Sequence, residues 1–307
     1  MPIWSDAANS SGHKPATGPN RLQRRRRNVE IVLSVPPYLP FMEGSPAGDF
    51  KWRLGVRPLD LDHWIEWGAD APAALAYKTK LNQQHPDTVL GALEGIEPES
   101  IEIAEAISAH VGAPLRNDLH PLDAAARLVP EDLVLMVERP GANGPELRFG
   151  GGSVCFPNRW DLRSKLGLTM AEVHAPVARL NDQLAIPVDR FFDRLRPDRS
   201  YWRLGWGILD TADWYTPIDG TAAQRPAEPA PEHMFLRVER ETLRRFPKTN
   251  CVLFTIRTYV APLDTVAAPA ARSRLADALE SMPPDVRGYK DLACTAQSIV
   301  DHLRTTI

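Results

Sequence analysis

Cysteine is scarce in this chain: three in 307 residues, Cys155, Cys251 and Cys294, far apart and with no C-x-x-C pair. That excludes a thiolate zinc site or an iron–sulfur cluster built by this chain alone, since each takes about three or four clustered ligands. No disulfide framework is expected either, so a reducing, cytoplasmic setting is. Charge of one sign is also missing: the net charge is −3, which argues against nucleic acid or an anionic membrane as partner. No apolar run approaches the roughly 18 residues of a membrane span. None of the eight histidines forms H-x-H, H-E-x-x-H or H-x-x-E-H, which leaves a zinc hydrolase unsupported. G-x-S-x-G, G-x-x-x-x-G-K-[ST] and a strand-following G-x-G-x-x-G are absent as well.

What is there divides into two parts. Residues 1–30 read as a disordered basic tail ending near Arg24–Arg27, and residues 31–307 as one domain with a sizeable core. Asn28, Glu30 and Pro36–Pro37 break up any apolar signal segment behind the arginines. The aromatic, proline-rich text from Pro36 to Asp70 is expected to wrap the core as extended chain and turns. Residues 71–112 carry helical spacing that stops at Gly112, and a short helix is expected over Leu122–Leu128.

After Pro130 the period changes. "EDLVLMVE" and "ELRFGGGSVCF" read as a hairpin with a long loop, with the glycines as a bulge or close-packing point instead of a phosphate cradle. Helices follow over Leu162–Val173 and Val177–Leu195, then strands "YWRLGWGIL", "HMFLRVERETL" and "CVLFTIRTYV", then helices near 267–281 and 289–304. The fold class is therefore α+β. Strand, strand, helices and three strands is the order of a PAS-like antiparallel sheet with helices on one face, here with an N-terminal extension and C-terminal helices.

In that layout the helix ending at His174 lies over the sheet. A neutral imidazole there suits a flat iron cofactor, for which one histidine suffices. A histidine closing a helix also meets the helix dipole and bonds a terminal carbonyl, so a plain cap is the competing reading. His120 and His63 are the other candidate ligands. Alternation puts Leu253, Thr255, Arg257 and Tyr259 on one strand face. An arginine in so apolar a strand needs an anion: Glu239 or Glu241, or a carboxylate of a bound molecule. Arg203, between Trp202 and Leu204, raises the same question.

Taken in order, "FKWRLGVRPLD", "HWIEWGAD", "AARLVPEDLVLM", "SVCFPNRWDLRSKLG", "VHAPV", "VDRFFDRLRPDRSYWRLGW", "LRVERETLRRFPKT" and "VLFTIRTYVAPL" resemble the haem-dependent oxidative N-demethylase-like family. The resemblance covers roughly residues 36 to 292. It implies a PAS-like domain that binds haem b and works as an oxidoreductase of monooxygenase type. Such an enzyme removes a methyl group from a small methylated amine with O2, releasing formaldehyde, on electrons from partner reductase subunits that carry FMN and an iron–sulfur cluster. His174, in the family's H-x-P-V motif, is implied as the iron ligand. Arg159, Arg203 and Arg257 match family arginines. Charge logic gives at least one to a haem propionate and another to negative charge developing on oxygen, with Tyr259 beside them in the cofactor set. One departure stands out: where W-I-E-x-D is expected, this chain has Gly68, so Glu66 and Asp70 are left, with Arg257, as the catalytic candidates. A haem-binding PAS sensor or carrier without turnover is the alternative from another class.

Overall fold

The computed structural model describes residues 34–43, 50–141, 144–218 and 229–305. The tail with Arg24–Arg27 and most of the Pro/Ala-rich loop lie outside the described residues. Seven strands are present: β1 (Arg57–Leu59), β2 (Leu90–Ala92), β3 (Asp132–Gly141), β4 (Gly144–Ser153), β5 (Ser200–Leu209), β6 (Phe235–Arg245) and β7 (Val252–Pro262). They pair antiparallel in one sheet, in the order β1-β5-β6-β7-β3-β4-β2. The helices are α1 (Ala71–Gln84), α2 (Pro86–Val89), α3 (Glu97–Val111), α4 (Pro121–Ala126), α5 (Met170–His174), α6 (Leu180–Arg194), α7 (Pro269–Ser281), α8 (Pro284–Tyr289) and α9 (Ala296–Thr305). No helix among the described residues is long and apolar enough to cross a membrane.

The long strands form where alternation is strong. β6 and β7 pair over their whole length, from Phe235 opposite Pro262 to Arg245 opposite Val252. The hairpin of β3 and β4 is tighter than expected: Gly141 pairs with Gly144, so two residues instead of a long loop connect the strands. The glycine run behaves as the sequence suggested. The register slips between Leu135 and Met136, and a Cβ on Gly152 would stand 2.9 Å from Leu162 and 3.0 Å from the Leu133 carbonyl.

Both faces of the sheet are covered, not one. On the α3 face, Leu133, Leu135, Val137 and Leu253 pack with Ile103 and Ile107 of α3, while Leu236, Val238 and Tyr259 pack with Leu275, Leu279, Ile299 and Leu303 of α7 and α9. On the α6 face, Val134, Met136, Leu243 and Val252 pack with Leu162 and Phe192, and the half-buried Met170, Val173, Val188 and Phe191 join them. The C-terminal helices and the N-terminal extension are long enough to bury a second apolar face, so the sheet becomes the middle layer.

The segment before β5 differs from the expected pair of helices. Gly167 sits at φ 80°, a left-handed conformation, and breaks the helix expected over Leu162–Val173 into a 3-10 turn at Arg163–Lys165 and the short α5. The helix expected near 289–304 starts later, as α9 at Ala296, with the short α8 ending at Tyr289.

Candidate functional site

α5 starts at a reciprocal cap. Thr169 Oγ1 accepts from the Glu172 amide while a Glu172 carboxylate oxygen accepts from the Thr169 amide at 2.8 Å. One turn later the chain reaches His174, whose Nδ1 lies 2.9 Å from the Met170 carbonyl. A carbonyl only accepts, so Nδ1 carries the proton and the neutral ring presents an unprotonated Nε2. Nε2 has no hydrogen-bond partner among the described residues. Burial pushes the imidazole pKa below its ordinary value, and the charges of Arg203 and Lys165 act in the same direction. Beside the ring, α5 and α6 leave only a crevice of about 10 Å³ lined by Met170, Ala171, Leu180 and Val188, room for about one water molecule.

The sheet surface on this side is set by β5 and β6. Along β5 the large residues Trp202, Leu204, Trp206 and Ile208 turn to the α3 face, leaving Arg203, Gly205 and Gly207 on the α6 face. Opposite them on β6 stand Glu241, Glu239 and Arg237. A Cβ on Gly205 would lie 3.3 Å from a Glu241 oxygen and 3.6 Å from a Glu239 oxygen, and one on Gly207 would meet nothing within 4 Å. The two carboxylates thus converge over bare backbone. Arg203 Nε is 3.2 Å from Glu241, and buried Arg237 donates to Glu239 at 2.8 Å. Arg203 and Glu241 keep 31% and 18% of their side-chain surface exposed, so the strip is reachable. Burial raises the Glu241 pKa, Glu239 adds to the rise and Arg203 opposes it.

Arg257, Tyr259, Glu66 and Asp70 stand on the opposite face. Arg257, fully buried, pairs with Asp70 Oδ1 at 2.6 Å and lies 4.7 Å from the Tyr259 ring centre. Its partner is neither Glu239 nor Glu241: Arg240 is the residue across from Arg257, so those glutamates turn the other way. Glu66 accepts from Tyr38 and, at 2.8 Å, from Tyr259, with Arg240 Nε 3.4 Å away. The Glu66 amide donates to Glu131, whose pKa burial lifts to about 7. Arg159 is in neither group; its guanidinium is held between Asp210, at 2.6 Å, and Asp291. His120 caps α4, with Nδ1 accepting from the Leu122 amide at 3.2 Å.

The structure therefore brings His174 and Arg203 together and separates them from Arg257, Tyr259, Glu66 and Asp70. Sequence reading missed the strip itself. The signal was present in "WRLGWG", where large apolar residues alternate with arginine and glycine. No group of three or more His, Cys, Asp or Glu side chains able to hold a metal ion occurs among the described residues.

Fold and strip define an α+β protein in which His174 Nε2, without a hydrogen-bond partner among the described residues, lies on the same side of the sheet as the charged strip. The family follows from comparison. A family model described as haem-dependent oxidative N-demethylase, alpha subunit-like, matches residues 110–300, more than half of the chain, and the chain belongs to that family. Its description names haem dependence, oxidative N-demethylation and an alpha-subunit role. The matched span holds α5, α6 and β3 to β7; Tyr38, Glu66 and Asp70 precede it.

Proposed function

We propose that this chain is the haem-binding subunit of an oxidase that demethylates a small methylated amine with O2, His174 Nε2 being the iron ligand. The observation that carries the reading is the His174 ring: neutral, tied at Nδ1 to the Met170 carbonyl and unengaged at Nε2. A backbone carbonyl on the far nitrogen is the usual way a protein fixes the tautomer and orientation of a ligating histidine. The residues present fit haem b on two further counts. Gly207 leaves backbone bare where a flat ring needs floor space, and the crevice beside the His174 ring is lined by the apolar Met170, Leu180 and Val188. The strand order β5-β6-β7-β3-β4, with α5 and α6 inserted between β4 and β5, supports the PAS-like reading.

Haem supplies the one-electron and oxygen chemistry that no side chain offers. The chain's own part is orientation, charge and shelter. Arg203 brings positive charge to the His174 face. The acids sharing that face are Glu239 and Glu241, so the reading moves the N–H groups of a protonated amine from Glu66 and Asp70 to them. Glu241, its pKa raised by burial, is the acid of the strip placed to take or give up a proton. Arg257, Tyr259, Glu66 and Asp70 take a supporting part, holding the N-terminal extension to the sheet. The reading takes its electrons from partner flavin and iron–sulfur subunits in a reducing, cytoplasmic setting, in keeping with three free cysteines and no group of three or more metal-ligating side chains among the described residues.

The test is an absorption spectrum of the protein supplied with haem, beside His174→Ala. A Soret band that shifts or vanishes in the variant is expected. No band in either protein sinks the reading. Oxygen uptake with methylated amines and a reductant then separates the enzyme from a sensor or carrier, which shows the band without turnover.

A further inference from the structure

We infer that Lys290 receives a propionate of the haem, a role that charge logic alone gives to the arginines. The inference rests on the haem reading above. Every arginine considered for that role already has a carboxylate: Arg203 has Glu241, Arg159 has Asp210 and Asp291, and Arg257 has Asp70. Lys290 has none at ion-pair distance among the described residues. It follows α8, and its Nζ donates to the Trp206 carbonyl at 2.9 Å. The same nitrogen lies 5.4 Å from the Trp206 ring centre and 5.6 Å from that of Trp52.

The position is the rim of the strip. β1 pairs with β5 only through Ser200, Tyr201 and Trp202, so beyond them that edge of β5 has no neighbouring strand, and Lys290 stands there. Trp52 is fixed against α6 and the turn before it, its amide donating to Gln183 and its indole to the Ala178 carbonyl, both at 2.8 Å. The charged groups bearing on Lys290 are Glu239 and Arg203, both of the strip. One carbonyl and two aromatic faces only partly compensate a half-buried ammonium, which leaves it short of an anion. Burial brings its pKa down to about 8, as expected of such a cation. A flat ring lying beside Gly207 with its acid side chains toward the open edge would supply that anion.

The experiment loads the protein with haem b or with haem dimethyl ester, whose propionates carry no charge, and follows loss of each to excess apomyoglobin in the Soret band. The native protein is expected to favour haem b over the ester by about tenfold or more, the worth of one charge-assisted hydrogen bond. Lys290→Met, which keeps an apolar stem between the tryptophans, should cut that preference about tenfold, and Lys290→Arg should keep most of it. Circular dichroism of both variants verifies the fold. A preference for haem b over the ester that survives Lys290→Met intact overturns the assignment while leaving the haem reading standing. A native protein without a Soret band removes both.

Discussion

The two faces of the central sheet carry similar charged residues and use them in opposite ways. On the α3 face, fully buried Arg257 pairs with the largely buried Asp70, and Glu66 is held by Tyr38, Tyr259 and Arg240. On the α6 face, Arg203 and Glu241 pair while still partly exposed, beside two glycines and an imidazole nitrogen without a hydrogen-bond partner among the described residues. A charge pair closed away from water fixes structure, and its cost of desolvation is met only while both partners stay. A pair left reachable beside bare backbone can answer to a ligand. The proposed function puts chemistry on one face and leaves cohesion to the other, although both sets of residues stood out equally in the sequence.

The sharpest way to break this contrast is Arg257→Ala. It leaves Asp70 without its partner in the interior and should cost about 3 to 5 kcal/mol in urea unfolding, while the protein that remains folded still takes up haem. A stable variant that has lost only its haem would reverse the assignment of the two faces. Gly207→Val is the converse change. Valine favours a strand, so stability should move by less than about 1 kcal/mol, yet the added side chain rises into the open strip and should lower haem uptake. Uptake equal to that of the native protein would mean the strip is not the seat.

The smallest expected effect is a titration. In the ligand-free protein, His174 followed by nitrogen NMR should show its proton on Nδ1 and a midpoint below the ordinary value of about 6.5. With the folded pKa lowered, the unfolded chain binds the extra proton first. This contribution to stability is therefore whole above about 6.5 and is lost as pH falls through the folded value. A midpoint above 6.5, or a proton on Nε2, would return His174 to a simple helix cap.

Much of the fold was legible. β3 to β7 have ten or eleven residues each, long enough for a two-residue period to show, and all five were read. β1 and β2 were missed, because three residues within "GVRPLDL" and "VLGALEG" cannot display a period. Gly167 stood in plain view inside an expected helix, but whether a glycine breaks a helix or is tolerated in one depends on what its neighbours pack against.

The site was legible in parts. The helix end near His174 was read although its start at the Thr169–Glu172 cap was not, and alternation correctly put Arg257 and Tyr259 on one side of their strand. Glu239 and Glu241 were weighed as partners for Arg257, which the register of β6 on β7 rules out. Lys290 gave no signal at all: its setting is made by Trp52 and Trp206, 238 and 84 residues away in the chain.

By itself the sequence determined the long strands, the residues that share a face along each, and a histidine at the end of a capped turn. These follow from backbone geometry over a few neighbouring residues. Which helix covers which face, and so which arginine meets His174, was decided only by the tertiary structure. Burial of apolar surface drives that choice, and because it has no direction of its own, the pattern along one strand cannot say what will come to lie against it.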